Sequence, residues 1–235
     1  MHDYSITFAC YNSVEYTKKC VNSLMASGTL MNRVVVVDNG SHDGTQNYLK
    51  TQPFGEVIFN KTNLGCGIAW NQGALAQQAE WTIIMNNDVL VTQDWAERLI
   101  ESARELDVRV ISPAMIEGPL DYDFQEFAEE AERRMSGVSR LGAKHAVCLA
   151  VHKSVWEDIG YFTPKPRLLG YEDTIFFKSG NTVRDHWGGL VSSLWLCNAR
   201  SNEEREGSSH VSGVGRPKEL QDAWYELVQE EGKTF

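Results

Sequence analysis

The sequence predicts an α/β fold with a mostly parallel central sheet flanked by helices, on three observations. Short runs of β-branched and apolar residues read as strands buried on both faces. Each run stops abruptly at a polar cluster. Between the runs lie segments with helical spacing, so that strand and helix alternate as in βαβ units. The clearest case is Ile83-Ile84-Met85-Asn86-Asn87-Asp88-Val89, in which an apolar strand ends in two amides and a carboxylate. In open α/β sheets ligands collect outside the carboxyl ends of such strands. Alone, Asn-Asn-Asp reads as a turn, because these residues favour turns for local hydrogen-bonding reasons.

The elements follow in order. Tyr4 to Ala9 forms the first strand, and Asn12 or Ser13 is placed to cap the helix after it. That helix, Val14 to Met25, carries apolar groups at Val14, Cys20, Val21, Leu24 and Met25, and Gly28 is a plausible stop. Val34 to Val37 is a second strand, ending in Asp38-Asn39-Gly40-Ser41-His42-Asp43-Gly44-Thr45. Asp43 is placed to cap a helix running through Tyr48 and Leu49. Val57-Ile58-Phe59 is a short third strand. The segment Asn60 to Gly67 leads into a helix over Ile68 to Ala79, whose small residues Ala69, Gly73, Ala74 and Ala76 allow it to lie close to a sheet or ligand. The fourth strand is the run ending at Asp88.

Four motifs in this order, Ala9-Cys10-Tyr11-Asn12, Val37 through Thr45, Asn60 through Asn71, and Asn86-Asn87-Asp88, resemble the nucleotide-sugar half of a family 2 inverting glycosyltransferase of the GT-A type. The resemblance covers about the first hundred residues and extends more loosely to Glu172-Asp173. The Asn-Asn-Asp form resembles the metal motif of rhamnosyltransferase-like enzymes. The resemblance implies transfer of a sugar from a nucleoside-diphosphate donor to an acceptor hydroxyl in glycan or polysaccharide synthesis. It implies a divalent cation, Mn²⁺ or Mg²⁺, at Asp88, with Asn86 and Asn87 beside the ribose and diphosphate. Ala9, Tyr11, Asp38 and Asn39 would surround the base, where the Tyr11 ring offers stacking as an alternative to strand-end packing. For Asn63 and Asn71, donor contact and simple capping stand equally open.

In the second half, the resemblance makes Asp173 the base that takes the acceptor proton, with Glu172 orienting it. Both acids also suit any helix N-terminus on charge alone. Relatives add a late histidine as a metal ligand; His210, in Ser208-Ser209-His210-Val211-Ser212-Gly213, is favoured over His186. Leu141 to Trp156 resembles the strand and segment facing the acceptor, and Val155 to Phe162 a turn before the base. Glu117 to Ser139 and Ser201 to Arg216 read as mobile. Trp187 and Trp195 are the tryptophans placed for acceptor contact, and Pro217 to Glu230 is an amphipathic helix.

The 235 residues suit one domain, with a nucleotide-sugar half over 1–100, an acceptor half over 101–215 and a C-terminal helix over 216–235. Five scattered cysteines without a Cys-x-x-Cys pair argue against a disulfide framework or a structural zinc site. A net charge of −10 gives no footprint for nucleic acid or anionic membrane, although a modified nucleic-acid base stays chemically possible as acceptor. With no apolar run long enough to span a bilayer and no signal-peptide pattern, a soluble, cytoplasmic chain is expected, with a homodimer open. Nucleotidyl transfer would call for a Gly-rich, basic phosphate loop early in the chain, and Ala9 to Ser13 has neither feature. A non-catalytic nucleotide- or sugar-binding module would have no use for both Asp88 and Asp173.

Overall fold

The computed structural model describes residues 3–117, 123–135, 139–141, 146–164, 172–181 and 189–198. The sheet begins with four parallel strands in the order β3 (Glu56–Phe59), β2 (Val34–Asp38), β1 (Tyr4–Cys10) and β4 (Trp81–Asn86). β8 (Cys148–His152) then runs antiparallel to β4, and β6 (Val110–Glu117) antiparallel to β8. A smaller group completes it: β9 (Gly189–Asn198) lies along β6, with β5 (Val89–Leu90) and β7 (Ser139–Leu141) antiparallel to β9.

Because side chains alternate across a strand, each central strand feeds two cores. Ile6, Phe8, Val34, Val36, Ile83 and Met85 point to a face that includes Cys20, Val21 and Leu24 of α1 (Val14–Ala26) and Trp95, Leu99 and Ile100 of α4 (Trp95–Glu105). The opposite face carries Ile84, Leu149 and Val151 beneath Trp70 of α3 (Cys66–Ala76), Val155 and Trp156 of α6 (Lys153–Ile159), and Phe176 of α7 (Glu172–Asn181). Being buried on both sides, β2 is apolar at four consecutive positions, Val34 to Val37.

α3 lies against β1 so closely that Gly73 is obligatory. A Cβ there would sit 1.8 Å from Oγ1 and 2.6 Å from Cβ of Thr7. Rotating Thr7 relieves the first contact but not the second, so the helix would have to lift. Gly73→Ala gains about 1 kcal/mol of helix propensity, whereas overpacking typically costs about 1–3 kcal/mol and occasionally more. Since the clash involves a Cβ rather than a flexible tip, the cost should win. We expect a melting temperature several degrees lower by thermal unfolding; an unchanged or raised value would refute this packing account.

Several local expectations change. In α1 the buried residues include Thr17, while Met25 is exposed. Neither Asn12 nor Ser13 caps this helix: Ser13 occupies the N-cap position at φ 61° without a side-chain bond, and Asp43 accepts from Val14 N instead. The stretch expected to be mobile contains α5 (Phe124–Met135), which buries Phe124, Phe127, Ala128 and Ala131 at helical spacing beneath an acidic exterior. The expected turn over Val155 to Phe162 begins as α6, capped by His152 accepting from Ser154 N. The C-terminal segment 216–235 lies outside the described residues.

Candidate active site

The chain runs from β1 outward to β2 and β3, then crosses back to place β4 on the other side of β1. A reversal of this kind opens a crevice at the carboxyl ends of the strands. Register puts the tips level: Cys10 pairs with Asp38 and Ala9 with Asn86. Asp38, Tyr11 and the Asn86-Asn87-Asp88 turn therefore converge at one sheet edge.

Asp38 is buried at the floor of this edge. Its Oδ2 accepts from Gly40 N at 3.1 Å, Ser41 N at 3.0 Å and Gln46 Nε2 at 2.8 Å. Its Oδ1 is buried and accepts nothing among the described residues. A buried acceptor left unmade costs more than a made bond contributes, so this oxygen has capacity for one further donor. Tyr11, by contrast, is 47% exposed and presents its ring. Ala9 is half-buried just before it.

The loops after β1 and β2 clasp each other. Asn12 N donates to Ser41 Oγ at 2.7 Å, His42 N to Asn12 Oδ1 at 2.8 Å, and Val14 N to Asp43 Oδ2 at 2.9 Å. These bonds hold Asn12 and Ser13 at φ 54° and 61°, a region that non-glycine residues adopt at a cost. Asp43 also accepts from Thr45 N and Oγ1, capping α2 (Thr45–Leu49) as its position in the sequence suggested. Burial opposes its ionisation, but the bonds from Thr45 and Val14 prevail and hold the carboxyl below its ordinary range.

Asn39 and the loop from Asn60 form a second wall. Asn39 is buried, donating from Nδ2 to Gly65 O at 3.3 Å and accepting from Asn60 Nδ2 at 2.9 Å. Asn60 and Gln72 exchange two amide bonds, and Asn63 Oδ1 accepts from Gly65 N at 2.9 Å. Asn71 bonds both backbone groups of Phe162. The amides of Asn39, Asn63 and Asn71 are thus engaged in building the wall.

Asp88 is 2% exposed in the tight connection between β4 and β5, and Asn87 beside it donates to Thr17 Oγ1 at 2.9 Å. Asn86 is half-buried. Burial, with the Asp88 charge nearby, pushes the Cys20 thiol up to about 12. Cys10, Cys20 and Cys148 are free, buried thiols, the ordinary state of core cysteines. Among the described residues no three acidic, histidine or cysteine side chains gather as a metal cage. A lone buried carboxylate fits a hard cation that takes its remaining ligands from substrate phosphates and water, as magnesium often does.

Glu172 and Asp173 open α7, and Gly67 brings the helix against the donor-side wall: a Cβ on Gly67 would lie 3.2 Å from Glu172 Cβ. Both acids are partly exposed. His186, Trp187 and His210 lie outside the described residues, as does the Trp195 side chain. Thr17, Asn60, Gln72 and Ser41 were not singled out from sequence; each acts through a partner at least twelve residues away.

This architecture is the GT-A fold of nucleotide-sugar transferases: a mannosyltransferase from Pyrobaculum calidifontis, solved with GDP-Man and Mn²⁺, superposes with a TM-score of 0.64 at 15% identity, covering 86% of this chain and 58% of that one. TarS of S. aureus, solved with UDP-GlcNAc, gives 0.64 at 17% identity over 97% and 66%. The family model for Glycosyl transferase family 2 matches residues 5–184, and the chain belongs to that family. Glycosyltransferase AglE of Haloferax volcanii is 24% identical over 172 residues, 67% of this chain and 55% of AglE. The chain spans about half the length of AglE and less of the other curated relatives it matches. No helix among the described residues is long and apolar enough to cross a membrane.

Proposed function

We propose that this chain is a metal-dependent, inverting glycosyltransferase that moves a sugar from a nucleoside diphosphate to an acceptor hydroxyl in glycan synthesis. The observation that carries the reading is that buried Asp88, in the turn just after Asn86, and buried Asp38 follow strands paired to β1 at adjacent residues, Ala9 with Asn86 and Cys10 with Asp38, at the point where strand order reverses. The base stacks on Tyr11 and donates an N–H to Asp38 Oδ1. Uracil, thymine and guanine carry such an N–H between or beside carbonyls; cytosine and adenine present an acceptor there. The UDP and GDP sugars bound by the two structural neighbours are of the first kind.

Asp88, with the donor's diphosphate, would hold Mn²⁺ or Mg²⁺, and His210 is the proposed further ligand. When bound, the cation supplies charge neutralisation for the departing diphosphate. Asn86 and Asn87 sit at the ribose and diphosphate. Asp173 takes the proton of the acceptor hydroxyl as that oxygen bonds to the sugar's anomeric carbon from the side opposite the leaving group, and Glu172 orients it. Asn39 and Asn63 hold the donor wall in shape, and Asn71 bonds the backbone of Phe162 behind it. The whole is read as one domain, 1–235, working in the cytoplasm.

Thermal unfolding with UDP, dTDP, GDP and CDP, each with and without Mn²⁺, tests the reading. Ligand at about one hundred times its dissociation constant stabilises by roughly 2.7 kcal/mol, a shift of about 5–10 °C for a chain of this size. We expect one of the first three to give such a shift, larger with Mn²⁺, and CDP to give little. No shift with any of them would sink the proposal.

A further inference from the structure

We propose that Asn71 is a positioning residue for the acceptor-side acids, tying the donor wall to the helix that carries Asp173; this rests on reading Asp173 as the base. Asn71 Nδ2 donates to Phe162 O at 2.7 Å, and Phe162 N donates to Asn71 Oδ1 at 3.0 Å. The side-chain amide so pairs with both backbone groups of one residue, as a neighbouring strand would, across 91 positions of sequence. That residue is not a surface loop. Phe162 is 1% exposed, and its ring stacks on Phe176 of α7 with centroids 4.5 Å apart and planes 26° from parallel. Trp70 of α3 and Trp156 of α6 close on the same ring at 5.4 and 6.0 Å.

The periodicity of both helices turns these contacts into a rigid coupling. Gly67 lies one turn before Asn71 on α3, and Glu172 one turn before Phe176 on α7, so each pair shares a face. An added Cβ at Gly67 would stand 3.3 Å from Phe162 Cβ and 3.2 Å from Glu172 Cβ, so the first turn of α7 rests directly on the first turn of α3. Two points fix a direction: the Asn71–Phe162–Phe176 chain sets one turn of α7, and the Gly67–Glu172 contact sets the other. Asp173, adjacent to Glu172, follows. The loop from Asn60, on which the donor is proposed to lie, leads into the same helix α3. Donor wall and acceptor base thereby move as one piece, which is what in-line displacement needs, because a misplacement of about 1 Å can cost on the order of 100-fold in rate.

Asn71→Ala and Gly67→Ala test this by opposite routes, the first cutting the clasp and the second wedging the two helix starts apart. For Asn71→Ala we expect kcat for transfer to fall roughly 10- to 100-fold, while the dissociation constant for the preferred nucleotide with Mn²⁺ stays within about twofold. The ratio of donor hydrolysis to transfer should rise, since water needs less exact placement than the acceptor. Hydrogen exchange should quicken over 172–176 and not over β1, β2 or β4. Gly67→Ala should give the same split between kcat and nucleotide affinity, and stands in if Asn71→Ala does not fold. A nucleotide affinity that weakens in step with turnover would mean that Asn71 contacts the donor, and an unchanged kcat would mean that the clasp positions nothing; either overturns the proposal. Should the unaltered protein bind no nucleotide, the functional reading fails instead, and exchange over 172–176 still decides whether Asn71 holds α7.

Discussion

Asp88→Asn is expected to lower turnover by about 10²–10³-fold and to remove the Mn²⁺-dependent part of the nucleotide's thermal shift, while leaving the unliganded protein at least as stable as before. The magnitude follows from the charge involved. Neutralising a leaving group is worth several kcal/mol in the transition state, and each 1.36 kcal/mol is about tenfold in rate. Only one carboxylate is available at the end of β4, because Asn86 and Asn87 stand where further acids would add charge. The remaining ligands must then come chiefly from the donor, so metal affinity without nucleotide should be weak. The stability clause separates this role from a structural one. Asp88 is 2% exposed, and ionised groups at such depth are costly to bury. A purely architectural Asp88 would be held there by bonds to its carboxylate that outweigh this cost and that an amide cannot fully replace, so Asp88→Asn would then give a lower melting temperature with metal dependence intact, the reverse of what is expected here. Calorimetry of both proteins, with Mn²⁺ and the preferred nucleotide, reads the two clauses separately.

The sheet was legible because its strands are buried on both faces and so write themselves as unbroken apolar runs: Val34 to Val37 and Ile83 to Met85 need no partner to be recognised. Their endings were legible for the same reason, the change from apolar to acid-and-amide marking where the backbone leaves the sheet. What the sequence does not display is which polar side chain serves which other. Asp43 illustrates the limit. Its cap on α2 is local, two residues from Thr45, and was foreseen; its cap on α1 spans 29 residues and was not. Asn39 and Asn71 are the same case from the other side. A buried amide and a ligand-facing amide look alike in a one-dimensional pattern, and the bonds from Asn39 to Asn60 and from Asn71 to Phe162 exist only once β2, α3 and the segment after α6 are brought together. The amphipathic helix over Phe124–Met135 was obscured because its charged residues outnumber its apolar ones, although Phe124, Phe127, Ala128 and Ala131 keep helical spacing.

Asp173→Asn should abolish most transfer, by about 10²–10⁴-fold, the range in which positioned proton acceptors contribute, and leave nucleotide binding intact. The amide keeps the size of the side chain and its place in the first turn of α7, where a carboxylate is favourable on helix-dipole grounds alone. That dipole effect sets the competing account: if Asp173 served only to stabilise the helix start, its loss would cost about 0.3–1 kcal/mol of stability and leave the rate nearly unchanged. The two accounts thus differ in which quantity moves. Geometry favours the catalytic one, because Gly67 admits the neighbouring Glu172 to within contact of the donor-side helix, a close approach that a simple helix start does not require. Measured together, kcat for transfer, the dissociation constant of the preferred nucleotide and the melting temperature decide it. A fall in kcat with the other two unchanged assigns the proton to Asp173. Retention of transfer within about tenfold would remove Asp173 from the chemistry, because that is smaller than the contribution of a positioned base.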